Sequence, residues 1–358
     1  MAKNLKVGII GTGAISGAHN SGYVKSGMAE VYALCDIKPD VLKKKSEIYN
    51  VPLERCFEDY NDLLKIRELD AVSVCTPNKV HCPATLAAFK AGKHVLCEKP
   101  MAMTGEEAMK MDAASKKAGK KLQIGLMQRF RVDANYVHEL VQQGMLGDIY
   151  YARCHAIRRR GVPSWGVFGQ LSEQGGGGMI DIGVHQLDLT WWLMGKPRPV
   201  AVSGASYRTI GNEPGHMGQF GVWDHKTYTV EDFVSGYIRF ANGATMTMEC
   251  GFICNLDKAH EGCHIVGTKG GAGLSPLQVQ IELNGHLCDC TPNDMVSVDL
   301  HGQRDAGLSN HEKEVASFCD AILNNKPVWV PGSEVVWVQK MINGLYASAK
   351  AKRELPIK

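Results

Sequence analysis

The stretch Val7-Gly8-Ile9-Ile10-Gly11-Thr12-Gly13-Ala14-Ile15-Ser16 decides how the fold is read. An apolar run suited to a buried strand stops at Gly11, passes into small residues, and leads into a helical stretch from about Ser16 to Ser26. Glycines at such a turn either serve tight geometry alone or bring backbone N–H groups to an anion at the helix N-terminus. The pattern G-x-G-x-x-G is incomplete here, because Ser16 stands where the third glycine would sit. The surrounding sequence has to choose between the two.

Val31-Tyr32-Ala33-Leu34-Cys35-Asp36 is a second buried-strand pattern, ending in an acid, and 39–49 and 59–66 read as helices. Ala71 to Pro77 is a third strand stopped by proline, and a helix from His81 to Ala91 closes at Gly92. His94 to Cys97, a helix over 105–118 and Leu122 to Gly125 continue the alternation. Continuous apolar strands with helices between them call for a parallel sheet covered on both faces. In that setting Gly11 permits the tight turn and Gly13 lets the backbone approach a pyrophosphate. Ser16 replaces the glycine used for close helix–strand packing. Asp36 is placed to accept hydrogen bonds from both adenosine ribose hydroxyls and to repel a 2′-phosphate, which favours NAD over NADP.

The whole chain sets the frame. At 358 residues it is too long for one small core, so two domains are expected, over 1–126 and 127–358. A net charge of +3 with 22% charged residues leaves no basic stripe for nucleic acid. No apolar run approaches membrane-spanning length and no cleavable leader is evident, so no membrane partner and a cytoplasmic location are expected. The 12 cysteines are scattered, with Cys288-Asp-Cys290 the one close pair and no CxxC to partner it, so reduced thiols and no metal site are expected.

Two further clusters bear chemistry. Glu98-Lys99-Pro100 follows the fourth strand, and ligands bind at the carboxyl ends of such strands. Downstream, Gly175 to Gly178 reads as a flexible glycine run before a helix from Met179 to Met194. Asp181 and His185 are four apart and share one face of that helix, and Gly183 between them leaves space for a cofactor or substrate.

The glycine loop, Asp36, Thr76-Pro77-Asn78 with His81, Glu98-Lys99-Pro100 and Asp181-Ile-Gly-Val-His185 occur in the order found in one family. The sequence resembles the Gfo/Idh/MocA oxidoreductases over essentially its whole length. The resemblance implies an α/β protein: an N-terminal Rossmann domain, then an α+β domain whose open, largely antiparallel sheet supplies the substrate pocket and the oligomer interface of a homo-oligomer. It places the family's catalytic lysine on Lys99 and its acid and histidine on Asp181 and His185. Cofactor contacts carry over to Gly11, Thr12, Gly13, Ala14, Ile15, Ser16, Asp36, Ile37, Thr76, Pro77, Asn78, His81, Glu98, Lys99, Gln128 and Arg129.

The later sequence agrees with an α+β layout. Helices are expected over 132–143, 310–323 and 334–351, with strands over 147–157, 200–207, 233–240, 244–250 and 264–267 and a hairpin turn at Ala241 to Gly243. Arg158, Arg160 and Trp165 lie at and after a strand end, in a loop suited to a neutral sugar; Trp165 is also placed to close over the nicotinamide. Lys99, Asp181 and His185 complete the expected substrate contacts. The chemistry that fits is hydride transfer from a secondary hydroxyl of a sugar or glycoside, with pyranose C3 favoured. Three alternatives stand beside it: an inositol or polyol dehydrogenase, a glycosidase that oxidises transiently with NAD, and a sensor of sugar and dinucleotide without turnover.

Overall fold

The computed structural model describes residues 4–296 and 307–357. The chain divides into two compact units, Met1–Phe130 with Val298–Val336, and Arg131–Ser297 with Trp337–Lys358. The first break lies beside the boundary expected at 126/127. The return of a later stretch to the first unit departs from a second domain running over 127–358, and apolar packing explains it. Val315, Phe318 and Cys319, on the helix Asn310–Leu323, are buried with Leu5, Val7, Tyr23, Ala71 and Leu96. Gly22 makes room for that helix, since a Cβ there would stand 2.6 Å from the Val315 Cβ. A capping box of Ser309 and Glu312 starts the helix, and Glu312 also accepts from Ser21 and pairs with Lys25.

In the first unit β1 (Leu5–Ile10), β2 (Ala29–Cys35), β3 (Cys56–Phe57), β4 (Ala71–Val74), β5 (His94–Glu98) and β6 (Leu122–Gly125) pair in parallel. Their order is β3-β2-β1-β4-β5-β6, so the winding reverses between β1 and β4, the place where doubly wound sheets bind ligands. Helices α1 (Ser16–Ser26), α2 (Pro39–Tyr49), α3 (Tyr60–Leu63), α4 (Asn78–Lys90) and α5 (Gly105–Ala118) lie between the strands. α3 is one turn rather than the helix expected over 59–66. The Lys93 ammonium donates to the carbonyls of Ile66, Arg67 and Leu69, holding the chain after α3 in turns instead. α4 begins at Asn78, directly after Pro77, three residues before the expected start.

The second unit opens with α6 (Val132–Gln142) and β7 (Ile149–Ile157), then α7 (Leu171–Gln174), a wide π-type turn over Met179–Gly183 and α8 (Val184–Leu193). There follow β8 (Pro199–Tyr207), β9 (Phe233–Phe240), β10 (Thr245–Gly251), β11 (His260–Gly267), β12 (Gly270–Leu274), β13 (Gln278–Leu283), β14 (His286–Asp289) and β15 (Leu355–Pro356). They form one sheet ordered β14-β13-β12-β11-β7-β10-β9-β8-β15, antiparallel except between β7 and β10. Its faces alternate as the strand period requires: Ala152, Cys154, Met246, Met248 and Cys250 are buried, while Arg153 and Glu249 are exposed. The last helix, Gly332–Ala351, packs on the buried face through Leu345, admitted by Gly236, where a Cβ would stand 2.4 Å from the Leu345 Cδ2. The helix expected over 179–194 is therefore a wide turn leading into a shorter α-helix. No helix among the described residues is long and apolar enough to cross a membrane.

Phe318 is fully buried in the seam that ties the returning helix to the sheet. Phe318→Ala should destabilise the first unit by about 3–5 kcal/mol. Denaturant unfolding of the full chain measures this, and a loss below about 1 kcal/mol would contradict the packing described.

Candidate active site

The glycine turn after β1 is built by close approach. Gly11 has φ +88° and donates to the Cys35 carbonyl, and a Cβ on it would lie 2.7 Å from the Cys75 carbonyl group. At Gly13 a Cβ would meet nothing within 4 Å, so the backbone there faces open space. The N-terminus of α1 has no side-chain cap, and its Gly17 and Ala18 N–H groups reach back to the Ala14 and Ile15 carbonyls. Ser16 does more than fit. It is buried, donates to the Gly13 carbonyl at 2.6 Å and is hydrogen-bonded to the Tyr49 hydroxyl at 2.7 Å, so it latches the loop where glycine could not. Asp36 is pinned by the Thr12 N–H at 2.8 Å, the Thr12 hydroxyl at 2.9 Å and the Lys38 N–H at 3.0 Å. An ionised carboxylate has about four acceptor directions. One direction is therefore left for a ligand hydroxyl, rather than the two expected. Ile37 is exposed beside it.

Several expected cofactor residues turn inward instead. His81 lies with one ring nitrogen 2.9 Å from the Thr76 carbonyl and the other 2.7 Å from the Pro100 carbonyl, and the nitrogen that carries the proton donates to its carbonyl, bracing that turn. Burial lowers its pKa against the pull of those carbonyls. Arg129 is fully buried and pairs with Glu334 at 2.6 Å, while its carbonyl accepts from the Trp329 indole. Glu98 is buried and hydrogen-bonded to His19 Nε2 at 2.9 Å, while His19 Nδ1 reaches Ser73 at 2.9 Å and Ser73 reaches Tyr23 at 2.6 Å. Burial alone would raise the Glu98 pKa. The hydrogen bond and charge of His19, helped by Lys99 and His311, overcome it and hold the carboxyl down to about 2. Glu314 stands in the same group, with ligand-type atoms of His19, Glu98 and Glu314 within 4.8 Å of one another. Burial and the charge of Glu98 push its pKa well above the carboxylate range. Lys99, next in the chain, is half-buried at the end of β5, and its N–H donates to Glu98 at 3.2 Å. Thr76 and Asn78 lie at the matching end of β4, Pro77 between them, and Gln128 lies in the short turn after β6.

In the second unit, the turn Met179–Gly183 and α8 bring Asp181 and His185 together, both half-buried. Wide turns of this kind inside helices are frequent at functional sites. The glycines around them serve packing, which corrects two expectations. A Cβ on Gly183 would stand 2.8 Å from the Cys250 Sγ and 3.0 Å from the Met179 Sδ, so Gly183 fits the turn to β10 rather than leaving space for a ligand. The run before the turn is also closely packed rather than flexible: a Cβ on Gly176 would lie 2.2 Å from the Tyr346 hydroxyl, and one on Gly177 2.6 Å from the Glu231 carbonyl.

Arg158 and Arg160 part company. Arg160 donates to the carbonyls of Arg159 and Cys254 and to the Asn255 side chain, so it holds the chain after β10. The Arg158 guanidinium lies 5.5 Å over the Phe220 ring. Burial, then the charges of Glu231 and Asp181, raise the Cys250 thiol's pKa against the pull of Arg158, so Arg158 and Asp181 are felt at one thiol. Trp165, 52% exposed, meets Phe220 at 5.3 Å and Phe168 at 6.3 Å, both edge-on. The Asp232 carboxylate accepts from the N–H groups of Thr209, Ile210 and Gly211, and the Gly211 carbonyl accepts from the Trp223 indole. Phe220, Glu231 and Asp232 were not marked by the sequence motifs; adjacent acids at the entry to an apolar strand were their one signal.

A parallel sheet of this order with an open glycine turn and an acid at the end of β2, followed by a mixed sheet, defines a dinucleotide-dependent oxidoreductase of two domains. Residues 5–126 match the model of the oxidoreductase family with NAD-binding Rossmann fold, and residues 134–272 match the GFO/IDH/MocA C-terminal domain. The chain is 35% identical to the D-glucoside 3-dehydrogenase of Escherichia coli over 349 residues, 97% of this chain and 95% of that one. It is 28% identical to the levoglucosan dehydrogenase of Pseudarthrobacter phenanthrenivorans over 69% of this chain and 67% of that one. The solved levoglucosan dehydrogenase in complex with NADH and levoglucosan shares the fold, with a TM-score of 0.84 at 22% identity over 99% of this chain and all of that one. The TM-score of the NADH complex without substrate is 0.83. This chain belongs to the Gfo/Idh/MocA oxidoreductases, and its cofactor is NAD.

The residues present fit that cofactor: Gly13 faces open space, α1 is uncapped, and Asp36 keeps one acceptor direction. Asp36→Ala should weaken NAD binding and narrow the advantage of NAD over NADP, because an acceptor and a repulsion disappear together. Titration of both cofactors by fluorescence tests this, and a wild-type preference for NADP would contradict the placement of Asp36.

Proposed function

We propose that the chain oxidises a secondary hydroxyl of a glucoside or closely related sugar, with C3 of the pyranose ring as the carbon oxidised. The observation that carries the reading is the succession of Asp181 on the wide turn and His185 on the first turn of α8, with Arg158 and the Trp165–Phe220 ledge belonging to the same unit. Polar groups beside an aromatic face match a sugar, whose hydroxyls need donors and acceptors and whose C–H face packs on rings. Arg160 is engaged with the protein's own carbonyls, which reduces the cationic cluster that a phosphorylated substrate would call for. The relative most like this chain among those above acts, by its name, on D-glucosides at position 3, and its likeness runs end to end.

In this reading bound NAD supplies the hydride acceptor. Hydride leaves a carbinol carbon readily only when the hydroxyl proton is removed in step. His185 takes that proton, since an imidazole titrates near pH 6.5. The family resemblance gives Lys99 the part of stabilising the negative charge that grows as hydride leaves. Asp181 binds a neighbouring hydroxyl and orients the imidazole, and Trp165 packs on the sugar. Thr12 and Asp36 hold the adenosine end, and the open turn at Gly13 holds the phosphates. We further infer a homo-oligomer that covers the outer face of the mixed sheet, and a cytoplasmic setting.

Lys99→Ala and His185→Ala should each lower turnover by roughly two to four decades. NAD affinity should survive both, measured by titration, because the adenosine and phosphate contacts lie elsewhere. Near-normal turnover in His185→Ala would move the proton-accepting role to Lys99.

Incubating the enzyme with NAD and methyl β-D-glucoside should produce NADH and a new carbonyl at C3, located by 13C NMR. A new carbonyl at C2, C4 or C6 instead, or activity confined to inositol, would contradict the proposal.

A further inference from the structure

Glu231 is an acid that the chemistry above does not use, yet it is buried just before β9. Taking a carboxylate out of water costs several kcal/mol unless its oxygens are hydrogen-bonded. Three donors meet this one: the Gly177 N–H at 2.8 Å, the Met179 N–H at 3.1 Å and the Tyr346 hydroxyl at 2.8 Å. Burial raises its pKa, and those hydrogen bonds oppose the rise.

The two backbone donors flank Gly178, the residue at which the wide turn begins and which has no local side-chain cap. Helix starts are ordinarily capped by a nearby Ser, Thr, Asp or Asn. Here the cap comes from a remote strand, and a negative charge at that end also suits the helix dipole. Gly177 is gripped from both sides. Its N–H donates to Glu231, and its carbonyl accepts from the Asp181 N–H at 3.0 Å. The route from Glu231 to the Asp181 backbone is thus two hydrogen bonds through one residue. Gly176 and Gly177 lack side chains because the grip leaves no room: added Cβ atoms would lie 2.2 Å from the Tyr346 hydroxyl and 2.6 Å from the Glu231 carbonyl. The Tyr228 hydroxyl donates to that same carbonyl at 3.1 Å and fixes the Glu231 backbone in turn.

We propose that Glu231 is a positioning residue whose carboxylate sets the phase of the turn that presents Asp181 and His185. The proposal rests on the roles given above to those two residues. A well-packed protein without this grip would keep its fold but present the acid and the imidazole at a shifted angle, and shifts of about 1 Å cost on the order of a hundredfold in rate.

The test compares Glu231→Gln with Val202→Ala, which removes buried methyl groups on β8 and takes no hydrogen bond from Glu231. A glutamine keeps the shape but replaces one acceptor oxygen with a donor, so one backbone grip is lost. In Glu231→Gln, kcat should fall about 10–100-fold with NAD affinity unchanged, and amide exchange at Gly177, Met179 and Asp181 should quicken at least tenfold relative to β10. Val202→Ala should lower thermal stability while keeping kcat within about threefold. Wild-type kcat or unchanged exchange in Glu231→Gln overturns the proposal, and so does an equal loss of kcat in Val202→Ala. If Glu231→Gln does not fold, Tyr346→Phe removes one donor to the same carboxylate. It should quicken exchange at Gly177, and unchanged exchange there overturns the grip. Should wild-type enzyme reduce NAD with no glucoside, the substrate reading fails, and exchange at Asp181 still decides whether Glu231 orders the turn.

Discussion

The first unit hangs on a buried pair, His19 with Glu98. His19 comes from α1, Glu98 ends β5, and Ser73 on β4 joins them to Tyr23. Breaking such a pair by removing one partner leaves an uncompensated charge and typically costs about 3–5 kcal/mol. The three elements it ties together are those whose ends form the ligand-binding edge of the sheet: the glycine turn before α1, the Thr76 turn after β4 and the Lys99 turn after β5. Because the folded pKa of Glu98 is depressed to about 2, its contribution is present above the unfolded value near 4.5 and is lost as pH falls toward 2. Glu314 beside it is pushed the other way, by burial and by the charge of Glu98.

The second unit repeats the device with different partners. Glu231 and Asp232 are adjacent, both buried, and both accept from backbone N–H groups of loops that bear functional side chains. Glu231 holds the start of the turn that bears Asp181 and leads into α8 with His185, and Asp232 holds the 209–211 loop, whose Gly211 carbonyl accepts from the Trp223 indole. Loops need such ties because their backbone groups have no ladder to join. A carboxylate supplies several strong acceptors from one side chain, which is why two acids suffice where many neutral groups would otherwise be needed.

Much of this was legible in the sequence, and the gaps share a physical cause. The alternation of strands and helices in a parallel sheet followed from apolar runs separated by helical periods, and 16–26, 39–49, 105–118 and 310–323 read as the helices that form. Local period says nothing about which way a side chain turns at a strand end. His81, Glu98 and Arg129 were expected among the cofactor contacts, and each has partners inside the protein. Glycines were equally ambiguous. Gly11 is there for backbone geometry and close approach, whereas Gly176, Gly177 and Gly183 are there because a neighbour fills the space. Ser16 looked like a loosened fingerprint and is instead a latch, which becomes visible only once Tyr49 and the Gly13 carbonyl come within reach. The hairpin of β13 and β14 had a local signal, Asn284-Gly285, with positive φ at both residues, that the strand reading passed over. The return of 310–323 to the first unit had none, since it depends on contacts with residues three hundred positions earlier.

The central claim is that hydride leaves C3 of a glucoside for NAD. It is tested most directly with methyl β-D-glucoside carrying deuterium at C3 alone. The account predicts that the reduced cofactor recovered from the reaction carries that deuterium, as read by mass spectrometry. Unlabelled NADH formed from the same substrate would contradict it.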